Sequence, residues 1–280
     1  MTVLSAQEIL LGANDLPVLP AVVLELLQSM ADEGSNVEQL ALKISHDQAL
    51  AAKTLRLANS SFYGLSRQVT SIMEATTILG LRTLRSIATA AGLVGGFSRT
   101  GCRGFDFDAF WRHSIGTALC ARGIAKSVQL DEDAAFTLGL LHDIGRLVMV
   151  SGYPERYALA LDYRRQHDCL LIDAELSAFG TDHTAVGSLV AERWRFAPVM
   201  VSAIADHHAP PVASVLGLVD VVHVADNMAH ALELSQPGEE AVPPLSVASW
   251  ARTGLSDETC FRIFKSVEEQ HGLVCQTLLS

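Results

Sequence analysis

Residues 131–150 read DEDAAFTLGLLHDIGRLVMV. Three acids, Asp131, Glu132 and Asp133, open the stretch, where the dipole of a helix N-terminus favours negative charge. The remainder is too apolar for a helix that faces water, which predicts a buried helix at the centre of the chain. His142 and Asp143 stand inside it. A buried carboxylate without a partner is costly, so Asp143 needs a strong one: a metal ion, a buried arginine or a histidine cation. Gly139 and Gly145 flank the pair and remove side-chain bulk where another group must approach, at some cost in helix propensity.

Working outward, the same helical grammar repeats. Upstream, residues 106–128 form an apolar helix capped by Asp106 or Asp108 and carrying His113. Downstream, 153–168 and 170–179 read as amphipathic helices, the second ended by Gly180. Thr181 is the expected cap for 182–194, with His183 in its first turn, and Pro198 starts a helix that ends at His207 and His208. A long helix is expected from about Ser214 to Leu234, with Asp226 among apolar neighbours. Residues 236–244, QPGEEAVPP, read as a linker, and 246–254 and 257–272 as two closing helices.

The N-terminal third continues the pattern. Residues 17–30 form a helix with Pro17 and Pro20 near its start. Ser35 or Asn36 caps the first helix of a pair, and Ser45 and Asp47 mark the break before the second. Residues 71–94 are helical, with Gly80 as a dividing point, and the Gly- and Arg-containing stretch 95–105 separates the two halves. β-Branched and aromatic residues nowhere gather into alternating runs, and no repeat is visible. The expected fold is all-α, with an N-terminal helical module over 1–100, a helical bundle holding the His/Asp cluster over 101–238, and C-terminal helices over 239–280.

Composition narrows the function. The 280 residues are 49% hydrophobic with a formal charge of -11. Residues 1–100 are near neutral, seven Lys/Arg against eight Asp/Glu, while the rest carry thirteen against twenty-three. Such a surface repels phosphate backbones, which argues against nucleic-acid binding, though a bound metal would still admit a small phosphorylated ligand. Arg56, Arg67, Arg82 and Arg85 are too few, and too balanced by acids, to make the N-terminal helices a DNA reader. Five cysteines without C-x-x-C spacing suggest reduced thiols. With no signal-peptide pattern and no apolar run of membrane-spanning length, a cytoplasmic location without membrane contact is expected.

The chemistry concentrates in His and Asp. His113, His142, Asp143 and Asp226 together would make one site of nitrogen and carboxylate ligands, and His183, His207 and His208 a second, with Asp143 bridging. One or two divalent ions per chain are expected, Fe or Mn ahead of Zn or Mg. Two such ions would lower the pKa of a shared water and generate a hydroxide for attack at phosphorus. His223 and His230, three residues before and four after Asp226, are rival partners for that carboxylate. His183, His207 and His208 could instead be helix-end groups facing water. His46, His167 and His271 lie in polar contexts and read as surface residues.

The order His113, His142-Asp143, His183, His207-His208, Asp226 resembles the HD superfamily of metal-dependent phosphohydrolases, particularly members that cleave cyclic dinucleotides. The stretches LPVLPAVVLELLQSM, ISHDQALAAKTLRLANSSFYG, FWRHSIGTALCARGIA, LGLLHDIGRLV and AFGTDHTAVGSLVAERW are similar to the HDOD family, over roughly residues 14–230. That resemblance implies an all-helical bacterial signal-transduction module with protein partners, in a family where parts of the ligand set are often lost. Here all seven positions hold a ligand-capable residue. Two features depart from the cyclic-dinucleotide enzymes. Arg146 stands where their HD motif continues to lysine, and Gly152-Tyr153-Pro154 precedes the later histidines instead of following them. Position 109, a metal-binding carboxylate in some trinuclear members, is alanine. A regulatory metal-binding module is the leading expectation. The alternative is a phosphohydrolase acting on a nucleotide or cyclic dinucleotide, with Asp143 bridging the metals and Arg146 steadying the phosphate.

Overall fold

The computed structural model describes residues 3–12, 21–29, 37–60, 62–96, 101–212, 215–235 and 241–279. Among them it contains helices and no strands, as the absence of alternating runs predicts. The expected roles of Pro17, Pro20, Ser35 and Asn36 lie outside the described residues, as does the proposed start at Ser214.

The first helix, α1 (Ala6–Gly12), lies away from its sequence neighbours, against helices of the second half. The N-terminal helices proper are α2 (Ala21–Gln28), α3 (Val37–His46), α4 (Gln48–Ala58), α5 (Ile72–Leu79) and α6 (Leu81–Gly96). Asp47 caps α4, accepting from the Leu50 N–H at 3.0 Å, and Gly80 separates α5 from α6, both as expected. Buried Val23, Leu26, Leu57, Ala75, Leu84 and Ile87 make this part of the core. α6 lies at its centre, touching α2, α4 and α5 on one side and α8 and α16 beyond.

The second half is built on α7 (Phe107–Ser127), which packs against α8 (Glu132–Leu141), α14 (Leu218–Ala231) and α16 (Asp257–Leu279). Asp106 caps α7 through the Asp108 and Ala109 N–H groups, and Asp131 caps α8 through Asp133 and Ala134. The run 131–150 is not one helix. It breaks at His142 and Asp143 and resumes as α9 (Ile144–Gly152). Asp143 takes the N-cap place of α9 with φ -95 and ψ 13 and makes no capping bond of its own. The break frees its carboxylate to face inward. The run's apolar character would suit a membrane span, but 83% of that window is buried within the protein.

Helices α10 (Pro154–His167), α11 (Leu171–Phe179), α12 (His183–Arg193) and α13 (Pro198–Asp206) complete the shell, with α15 (Val247–Thr253) against α14. α12 is capped by Asp182, not Thr181: its carboxylate accepts from the Thr184 and Ala185 N–H groups. The helix expected over 214–234 begins only at Leu218, where the Asp220 carboxylate reaches back to accept from the Gly217 N–H at 3.0 Å. α16 extends seven residues beyond the expected end, to Leu279.

Two backbone contacts set the spacing of the interior. A Cβ on Gly139 would meet the Ala118 Cα at 2.6 Å, so its absence lets α8 press against the α7 backbone. A Cβ on Gly145 would overlap the His183 carbonyl oxygen and come within 2.7 Å of the Gly187 nitrogen, so α9 and α12 meet at van der Waals distance. The approach anticipated around the HD pair is therefore made by neighbouring helix backbones.

Candidate metal centre

Five helix ends and faces deliver polar groups to one interior point. α7 brings His113; the α8–α9 break brings His142 and Asp143; α12 brings His183; the end of α13 brings His207 and His208; α14 brings Asp226. All are buried except His208, which is partly exposed. All seven sequence-derived positions thus converge, and His183, His207 and His208 are not water-facing helix ends.

Hydrogen bonding sorts the imidazole nitrogens. His142 Nδ1 lies 2.7 Å from the Gly139 carbonyl, and His207 Nδ1 lies 2.9 Å from that of Ile204. A carbonyl only accepts, so each Nδ1 carries a proton and each Nε2 faces the interior. His183 is held the same way by a carboxylate, its Nδ1 donating to Glu175 at 2.6 Å. The inward Nε2 atoms surround Asp143 Oδ1, with His183 at 3.1 Å, His207 at 3.6 Å and His142 at 3.7 Å. Around Asp226 Oδ1 stand His113 at 3.0 Å, His230 at 3.4 Å and His142 at 3.5 Å.

These atoms meet the elementary test for a metal site. The buried Nε2 atoms of His142 and His207 and both carboxylate oxygens of Asp226 lack a hydrogen-bond partner among the described residues. Unsatisfied buried groups of this kind are rare unless something else fills their coordination. Ligand atoms of Asp143, His183, His207 and His208 lie within 4.8 Å of one another, as do those of His113, His142 and Asp143. Imidazole and carboxylate are the donors for first-row divalent metals, so the cluster is capable of holding one.

The electrostatics follow from crowding without water. Burial pushes the Asp143 carboxyl up, but His142, Arg146 and His183 outweigh it and hold the group well below the usual carboxylate range. Asp226 is likewise held low against burial, by His230, His113 and His142. For His183, burial acts downward, yet Glu175 and Asp143 lift it to about 10. His208 goes the other way, lowered to about 2 by burial and by the neighbouring His207 and His183. The two rings meet edge to face, with their Nε2 atoms 3.0 Å apart.

Three residues depart from the sequence reading. Glu175, which it passed over, is fully buried and accepts from the His183 N–H at 2.9 Å, from its Nδ1 and from the Tyr157 hydroxyl at 2.8 Å. His223 does not compete for Asp226: its Nδ1 donates to the His207 carbonyl at 2.6 Å and its Nε2 accepts from the Ser246 N–H at 2.8 Å. His271 is buried, not at the surface, and its Nε2 donates to the Arg112 carbonyl at 2.8 Å. His46 and His167 are exposed, as expected. Arg146 donates to Asp143 at 2.7 Å, supplying the arginine partner that a buried carboxylate admits.

A cavity of about 270 Å³ opens beside the cluster. Asp143, His183, His208, Asp226 and His230 form its polar wall, Arg146 and Arg164 supply positive charge, and Leu170, Leu171 and Pro243 are among its apolar lining.

Comparison with known proteins agrees with this architecture. The HDOD domain profile matches residues 16–210. An HDOD domain protein of unknown function from Geobacter sulfurreducens has a crystal structure that superposes with a TM-score of 0.85, at 26% identity over 98% of this chain and 97% of that one. A candidate phosphohydrolase from Shewanella amazonensis SB2B gives 0.75 at 28% identity, over 97% and 98% of the two chains. An uncharacterized protein of Treponema pallidum (strain Nichols) is 26% identical over 245 residues, 85% of this chain. The chain spans only 46% of that relative's length. With its profile match and its all-helical architecture, the chain belongs to the HDOD domain family.

Proposed function

We propose that the chain binds two divalent metal ions in the His/Asp cluster and hydrolyses a small phosphorylated ligand. The observation that carries this is the cavity that reaches Asp143, His183, His208 and Asp226 and also presents Arg146 and Arg164. A purely structural cluster needs no such opening, and a phosphoryl group needs both the metals and the cations. His113, His142, Asp143 and Asp226 would hold one ion and His183, His207 and His208 the other, with Asp143 available to both. Fe or Mn suits this mixed nitrogen and carboxylate set. When bound, the ions supply Lewis-acid charge and a lowered water pKa.

The chain's own groups do the rest. Glu175 fixes the His183 ring so that Nε2 faces inward. Arg146, charged and half withdrawn behind Asp143, lies beside the cavity where it can grip a phosphate oxygen. The volume sits just below the usual range for ligand sites, about 300–1,000 Å³, and suits a small phosphoester. The phosphohydrolase designation of the Shewanella relative supports the same chemistry. A cytosolic bacterial signalling context with a regulatory protein partner is the physiological setting the family resemblance implies.

A second reading has its own observation. Arg146 is already spent on Asp143, which suits a site that binds metal and ligand for regulation without turnover. Both readings meet in one experiment. Protein purified anaerobically without chelator or affinity histidines is assayed by elemental mass spectrometry, then with Mn2+ or Fe2+ against phosphomonoesters and phosphodiesters. About two ions per chain, lost in Asp143→Ala, with turnover, is the expected result. Metal without turnover leaves the regulatory reading, and a metal-free protein refutes both.

A further inference from the structure

Helix α14 sends two groups toward the cluster. One turn after Asp226 comes His230, on the same helix face. Its Nε2 lies 3.4 Å from Asp226 Oδ1, the same oxygen that His113 Nε2 approaches to 3.0 Å. The His113 and His230 rings are 4.4 Å apart between centroids and tilted by 44°. Ligand atoms of His113, Asp226 and His230 all lie within 4.8 Å of one another. Donors about 2.0–2.2 Å from a common ion can be no more than about 4.4 Å apart, so a small inward adjustment brings the three onto one metal.

A helix-surface pairing of His230 with Asp226 accounts for only part of this. It explains why His230 reaches the carboxylate, but not why the His113 ring stands against it. His230 also lines the cavity, so it meets the cluster from the open side and not through the core.

We propose that His230 is a ligand of the first metal position, alongside His113 and Asp226. The inference rests on the metal-binding reading above and extends its ligand set. His113, Asp226 and His230 would then hold the first ion, with places left for the phosphorylated ligand or water, a nitrogen and carboxylate set suited to Mn2+ or Fe2+.

The test uses Co2+ as a spectroscopic probe on the whole chain. Wild type, His230→Gln and His230→Asp are titrated anaerobically, following the visible absorption and the number of ions bound. Glutamine keeps a hydrogen bond to Asp226 but is a poor ligand; aspartate is a competent one. The expected result is a changed spectrum and at least a tenfold weaker first-position affinity in His230→Gln, with recovery in His230→Asp. Unchanged affinity and spectrum in His230→Gln would overturn the inference while leaving the metal site intact. A wild type that takes up no metal would bring down both. Should the variants not fold, proton NMR of the cobalt-loaded wild type decides: contact-shifted His230 ring resonances support ligation, and unshifted ones exclude it.

Discussion

The two halves of this protein bury polar groups in opposite ways. In α2–α6 the buried polar side chains are hydroxyls and one arginine, Arg85, which donates to the Ser29 carbonyl. No carboxylate is buried there among the described residues, and the packing is that of an ordinary helical core. In α7–α14 the interior holds Asp143, Glu175, Asp220 and Asp226 with five buried imidazoles. That is an expensive arrangement unless charge is neutralised. Asp220 has its own clamp, the Arg252 guanidinium. Among the described residues Asp143 and Asp226 are paired with histidines and Arg146. The contrast teaches that the first half is an ordinary packed core, whereas the second buries carboxylates whose charge has to be neutralised at its centre.

Three experiments would break or sharpen that contrast. The largest effect should come from metal removal. An ion held at a thousandfold excess over its Kd adds about 4 kcal/mol to the folded state, and two ions add more. Chelation should therefore lower the melting temperature and release amide protection in α7–α9 and α12–α14, with α2–α6 little changed in hydrogen exchange. Uniform loss over both halves would show that they do not differ in this way. Next, Ile87→Ala, a cavity in the middle of α6, should cost about 2–5 kcal/mol in denaturant unfolding. Its metal content should be unaltered; a lost ion would mean that the packing half also governs the site. The smallest effect belongs to Glu175→Gln. Glutamine can still accept from Nδ1, but the charge is gone, and metal affinity should fall by about 10–100-fold by calorimetric titration with little change in secondary structure.

Much of this was legible in the chain. An HD pair inside an apolar run announces a buried carboxylate, and Asp47, the choice of Asp106 or Asp108, and the first-turn acids 131–133 announce their helices, because these signals are local. The convergence of four further helices on that pair came through family resemblance, since no local pattern says which helices meet. Glu175 was missed because its partners, Tyr157 and His183, lie 18 and 8 residues away. A signal existed: it shares a stripe with buried Ala178 and Phe179, an acid where an apolar residue belongs. His271 is the same case, sitting in the buried series Ile263, Val267, Val274 of α16. The break at His142 and Asp143 left no mark, for nothing in LLHDIG is a helix breaker until Gly145, and the interruption serves the carboxylate's direction, not the backbone's preference.

Gly145 has a consequence for how this centre can vary. Its α-hydrogen is the whole separation between α9 and the carbonyl of His183, so the gap between Asp143 and His183 is gauged by the absence of one methyl group. In a machinist's terms it is a shim of zero thickness. Each of the nineteen other side chains begins with the same added carbon, so each opens the jaw by roughly the same first step, whatever its polarity or charge. At this position the genetic code offers no conservative replacement: the tolerance of the site is a dimension, not a chemistry.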